Sequence, residues 1–111
     1  MAVTFAMVRD AALTLPGVVE GVSYGTPALR VGKTLIARLR EDGVTLVLKV
    51  DPFERDILLD SEPGIFFLTD HYRGHPWILV RLEAAGLDRI EPLLRRAWLA
   101  SAPKRTRQPP R

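Results

Sequence analysis

The 111 residues include no cysteine, 47% apolar and 26% charged side chains, and 16 Lys and Arg against 13 Asp and Glu. That composition excludes a disulfide framework, a thiolate nucleophile, a Cys-based zinc site and a disordered or fibrous chain, and it suits a reducing cytoplasm. The unbroken apolar runs, 65–68 and 77–80, fall far short of the roughly 20 residues of a membrane span, and no signal-peptide pattern opens the chain. The formal charge of +3 belongs to the chain end: Lys104, Arg105, Arg107 and Arg111 lie in the last eight positions, and without them acids slightly outnumber bases.

In chain order, the first periodic segment covers residues 4–15, with Phe5, Val8, Ala12 and Leu15 on one helical face, Thr4 placed to cap it and Pro16-Gly17 to end it. From 18 to 50, short β-type runs are separated by Gly21, Gly25-Thr26-Pro27, Gly32 and Glu41-Asp42-Gly43, the pattern of an antiparallel meander. Within it Leu35, Ala37 and Leu39 alternate with Ile36, Arg38 and Arg40, and Leu46, Leu48 and Val50 alternate with Val47 and Lys49. The expected sheet has one apolar face and one mixed, basic face open to solvent.

Asp51-Pro52-Phe53-Glu54 then combines an N-cap, a first-turn proline and an acid three residues past the cap. A short helix is expected from there to Pro63-Gly64, carrying Phe53, Ile57 and Leu58 inward. Strands over 65–69 and 77–81 follow, joined by a polar, ring-rich loop, Asp70-His71-Tyr72-Arg73-Gly74-His75-Pro76. The last helix is expected to open at Asp88 with Glu91 in the reciprocal capping position, and Ile90, Leu93, Leu94, Ala97 and Trp98 form its core stripe. The order predicts an α+β fold, a mostly antiparallel sheet with helices packed on one face. It forms a single domain over residues 1–102, and 103–111 is a basic, Pro-rich tail expected to be disordered.

No catalytic constellation emerges. Ser23, Ser61 and Ser101 occur in no strand-to-helix elbow, Glu41-Asp42 is a hairpin turn, and Asp56, Asp60 and Glu62 read as a solvated helix face. His71 and His75 lie on a turn with no third histidine, so neither a metal nor any other cofactor is expected. The glycines form no phosphate-cradling loop before a helix.

Several motifs in fixed order resemble the MmcQ/YjbR family over roughly residues 8–105. These are Leu15-Pro16-Gly17-Val18, Tyr24-Gly25-Thr26-Pro27, Val31-Gly32-Lys33, Asp51-Pro52, Asp70-His71-Tyr72-Arg73-Gly74 with Pro76-Trp77, and Ala97-Trp98 with Ala102-Pro103-Lys104. The resemblance implies a frataxin-like (CyaY-like) two-layer sandwich, whose paired hairpins have earned family members the label of double-wing DNA-binding proteins. Frataxin relatives bind iron through acids on the first helix and the adjoining edge, whereas this chain offers only Asp10 there and Glu20 after it.

Two functional expectations follow. The first is a non-enzymatic module making weak, largely non-specific phosphate contacts with DNA through Arg30, Arg38, Arg40, Lys49, Arg73 and Arg81 on the basic sheet face and Lys104, Arg105 and Arg107 in the tail. Gln108 is the only Asn or Gln, so amide readout of bases is nearly excluded. The alternative is a protein-interaction or small-ligand module using Tyr24, Thr26, His71, Tyr72 and Trp77 around a shallow pocket.

Overall fold

The computed structural model describes residues 3–107, the side chain of Arg107 excepted. Thr4 caps α1 (Phe5–Leu13) by accepting a hydrogen bond from the Met7 amide, and Val8 and Ala12 turn into the core. Four antiparallel strands follow, β1 (Val18–Ser23), β2 (Thr26–Val31), β3 (Thr34–Leu39) and β4 (Thr45–Lys49). After α2 (Pro52–Ser61) come β5, only Phe66–Phe67, a 3-10 turn over Asp70–Tyr72, β6 (Trp77–Arg81), α3 (Leu87–Ser101) and α4 (Lys104–Arg107). The sheet order is β1-β2-β3-β4-β6-β5, antiparallel throughout. Helices α1 and α3 pack on its inner face.

The inner core joins Leu29, Val31, Ile36, Ala37, Leu46, Leu48, Ile78 and Val80 from the sheet to Ile90, Leu93, Leu94, Ala97 and Trp98 of α3. The predicted α3 stripe is therefore the one that buries. Gly86, not Asp88, occupies its N-cap, and no side chain caps it.

Strict alternation fails in β3. Leu29 pairs with Ala37 while Arg30 pairs with Leu35, which leaves Ile36 as an extra residue in a bulge. Ile36 and Ala37 both reach the inner core, and Leu35 goes to the outer face with Arg38. The expected grouping of Leu35 with Ala37 is thus corrected by one residue of slip.

The expected inward face of α2 is also corrected. Phe53 and Ile57 are 83% and 64% exposed, and Leu58 alone of the three is buried. Glu54, Leu58 and Glu62 follow i, i+4, i+8 spacing, and Glu54 and Glu62 pair with Arg96 and Arg89 of α3. With that face turned toward α3 and the core, Phe53 and Ile57 point outward.

The start of the tail is ordered rather than disordered. Lys104–Arg107 form a turn of helix, Thr106 lies against Gly17, and Pro103 lies beside Gly32. Residues 108–111 lie outside the described residues.

Candidate ligand-binding cleft on the outer sheet face

The face expected to be open to solvent carries a second, smaller core. Arg38 is paired across the sheet with Val47, and Val47 with Leu79. Tyr72 from the 3-10 turn packs on Val47 and Leu79 together with Phe67, Leu68 and Trp77. The ring-rich loop is therefore a cover that folds back over β4 and β6. Gly74 takes φ +88° to reverse it. Asp70 pairs through its carboxylate with Arg73 at 3.3 Å. Arg55 of α2 donates to the His75 carbonyl at 2.6 Å and ties the end of the loop to the helix.

Beside this cover the outer face opens into a cleft of about 520 Å³ lined by Tyr24, Leu35, Arg38, Glu41, Val47, His71, Tyr72, His75 and Trp77. That volume falls in the range of small-molecule sites. Tyr24 is placed by a two-residue hairpin turn: Ser23 pairs with Thr26, and Tyr24 and Gly25 take φ of +53° and +77°. A side chain at positive φ is strained, and here it presents a ring that is 85% exposed. The Arg38 guanidinium carbon lies 5.4 Å from the centre of that ring.

Arg38 organises the cleft. Its side chain is only 10% exposed. Nη2 donates to the Tyr72 hydroxyl at 2.9 Å, and Nη1 donates to Thr26 Oγ1 at 3.2 Å, whose own hydroxyl donates to the Ser23 carbonyl. The nearest carboxylate, Glu41, stands 3.6 Å from Nη1, outside hydrogen-bond reach, and is 64% exposed. His71 meets Tyr72 edge to face at 5.0 Å.

The pocket residues expected from sequence come together: Tyr24, His71, Tyr72 and Trp77 line the cleft, and Thr26 supports it by holding Arg38. The expected basic face does not form one free surface. Arg38 is buried, Arg30 donates to the Val22 carbonyl, and Arg81 lies 4.1 Å over Phe67 while donating to the Pro63 carbonyl. Arg40 sits 6.0 Å from the Tyr72 ring, and Arg73 is paired with Asp70. Lys49 shares the side of the sheet with Arg38, yet it lines a separate cavity with Pro76, Glu54 and Arg96. Lys104 and Arg105 are exposed on α4, which packs at the Gly17 and Gly32 end of the sheet, away from the Tyr24 turn.

Leu35, Glu41 and His75 were not anticipated in the pocket. The bulge hides Leu35 from any alternation argument, and nothing in local spacing announces that Arg38 and Tyr72, 34 residues apart, will bond. Among the described residues, no group of three or more His, Cys, Asp or Glu could hold a metal ion, and no helix is long and apolar enough to cross a membrane.

Fold and cleft together define an α+β sandwich with a helix-covered inner face and a loop-covered outer one. The chain belongs to the YjbR family, whose model matches residues 13–100. It is 36% identical over 73 residues to the uncharacterised proteins Mb2600 of Mycobacterium bovis and Rv2570 of Mycobacterium tuberculosis, a match covering 66% of this chain and 49% of each relative. The matched segment spans about half the length of those relatives. The crystal structure of Deinococcus radiodurans protein DR2400, with a DUF419 domain, superposes with a TM-score of 0.76 at 24% identity, covering 89% of this chain and 78% of that one. The likeness shows a shared fold.

Proposed function

We propose that this protein is a non-enzymatic binding module whose small ligand occupies the cleft between the Tyr24 turn and the loop over 70–76. The observation that carries the reading is the state of Arg38. A buried charge is costly unless a counter-charge meets it. Here the partners within hydrogen-bond distance are neutral hydroxyls and the 3.4 Å Leu39 carbonyl, and the counter-charge is a loose ion pair with Glu41 at 3.6 Å whose carboxylate side chain is 64% exposed. A buried cation opening into an aromatic-walled cleft suits an incoming anion.

The competing nucleic-acid reading loses Arg38 as a donor on an open sheet face, since it is buried in the cleft.

The test is a pair of titrations followed by NMR of the Trp77 indole and the Tyr24 and Tyr72 rings, one with a panel of small aromatic anions and one with single-stranded and duplex DNA, each at two salt concentrations. Saturable, salt-tolerant shifts at these three residues with a small anion are expected. Shifts produced only by DNA, falling steeply with salt and centred on Arg73 or Lys104, would replace this reading with phosphate contact.

A further inference from the structure

Resting on that cleft as the binding site, we infer that its ligand is a flat aromatic carboxylate and that Glu41 is the internal stand-in for the ligand's charged group. The guanidinium at the cleft floor has donors left over: Nη1 serves Thr26 and the Leu39 carbonyl, Nη2 serves Tyr72, and among the described residues no side chain or carbonyl accepts from Nε. Tyr72, which accepts from Arg38 through its hydroxyl oxygen, retains its own proton to donate. A carboxylate entering here therefore meets an ionic donor and a neutral one, the arrangement that favours short charge-assisted bonds.

Glu41 already approaches that position without closing on it. It is held i,i+3 from Arg38, its oxygen stops at 3.6 Å, and most of its side chain stays in water. The backbone beneath it is fixed independently. Asp42 accepts hydrogen bonds from the Val44 and Thr45 amides at 3.0 Å and from the Thr45 hydroxyl at 2.7 Å, and the Arg40 amide donates to the Thr45 carbonyl. With the turn pinned, only the Glu41 side chain must swing aside to admit a ligand. Its ion pair with Arg38 is long, with the Glu41 end in water, and weak enough to exchange.

Charge and shape narrow the ligand class. One buried guanidinium answers one negative charge, which fits a carboxylate better than a doubly charged phosphate. Leu35 and Val47 supply an apolar base and Tyr24, His75 and Trp77 supply rings, the lining a planar ring system stacks on.

The experiment compares 2-naphthoate, its uncharged amide and 2-naphthyl phosphate on the full chain and on Glu41→Gln, read by the Trp77 indole signal. Glu41→Gln should tighten 2-naphthoate by about two- to fivefold, the range of an exposed ion pair, and leave the amide unchanged. Weaker or unchanged naphthoate binding in Glu41→Gln, or tighter binding of the phosphate than of the carboxylate, overturns the inference while leaving the cleft a ligand site. If none of the three moves Trp77 at millimolar concentration, both the inference and the reading beneath it fall. Tyr24→Gly, which suits the positive φ and removes a wall, should weaken carboxylate and amide alike; a variant with unaltered binding of both also overturns the stacking assignment.

Discussion

Arg38 and Tyr72 hold each other in place, and the cost of separating them is set by which group is left buried without a partner. Tyr72→Phe keeps the ring in the outer core but strips the acceptor from Nη2. Urea unfolding should show a loss of about 1–3 kcal/mol, the penalty for an unsatisfied buried donor, and a loss below about 0.5 kcal/mol would mean that water replaces the hydroxyl. At the neighbouring turn, partial burial pushes the Asp42 carboxyl up, but hydrogen bonds from Val44 and Thr45 outweigh it and hold it below its usual value of 3.8. A carboxylate depressed in the folded state adds stability that is present above pH 3.8 and lost as pH falls through the lower folded value. Asp42→Asn should therefore flatten the acid limb of stability against pH below about 4, and an unaltered limb would assign that limb to other carboxylates.

At the scale of elements, legibility followed how local the deciding interaction is. The caps at Thr4 and Asp51 and the α3 stripe read directly from sequence because three or four neighbouring residues decide them. The inward face of α2 did not, since its rotation, with Leu58 in the core and Glu54 and Glu62 beside Arg96 and Arg89 of another helix, is set by tertiary packing. Periodicity alone favours Phe53 and Ile57. Ile57→Lys should change stability by no more than about 0.5 kcal/mol, whereas Leu58→Ala should cost about 2–4 kcal/mol in the same denaturation measurement. Equal costs would restore the original face. The one-residue bulge at Ile36 was illegible for a different reason: no glycine or proline marks it, and its only trace is a pair of apolar residues, Ile36 and Ala37, that both need burial. The cleft was half legible, since the ring-rich loop and the Tyr24 turn announced themselves while their meeting through Arg38 depends on long-range pairing.

The molecule as a whole is two unequal cores on either side of one sheet, with α4 packed against Gly17 at the end of β1 opposite the Tyr24 turn. Gly17, at φ +79°, has Thr106 so close that a Cβ there would stand 2.8 Å from its methyl group. Gly17→Ala should destabilise by more than about 1 kcal/mol, combining strain at positive φ with overpacking. Adding Thr106→Ser should recover part of that loss in a double-mutant cycle, and strict additivity would show that the contact carries no energy. The cations of α4 are tested separately: replacing Lys104, Arg105 and Arg107 by glutamine should leave binding in the cleft unchanged, and if these three meet phosphates it should reduce the salt slope for DNA by about 3.

The six residues of β1 separate Gly17 from Tyr24, a span of about 23 Å at the rise of an extended strand. A fluorophore or surface tether attached to Lys104 on α4 thus sits at the opposite end of β1 from the aromatic opening. Immobilised that way, the protein would present its mouth to the solution, ready for screening by surface-based optical methods without a linker shading the entrance.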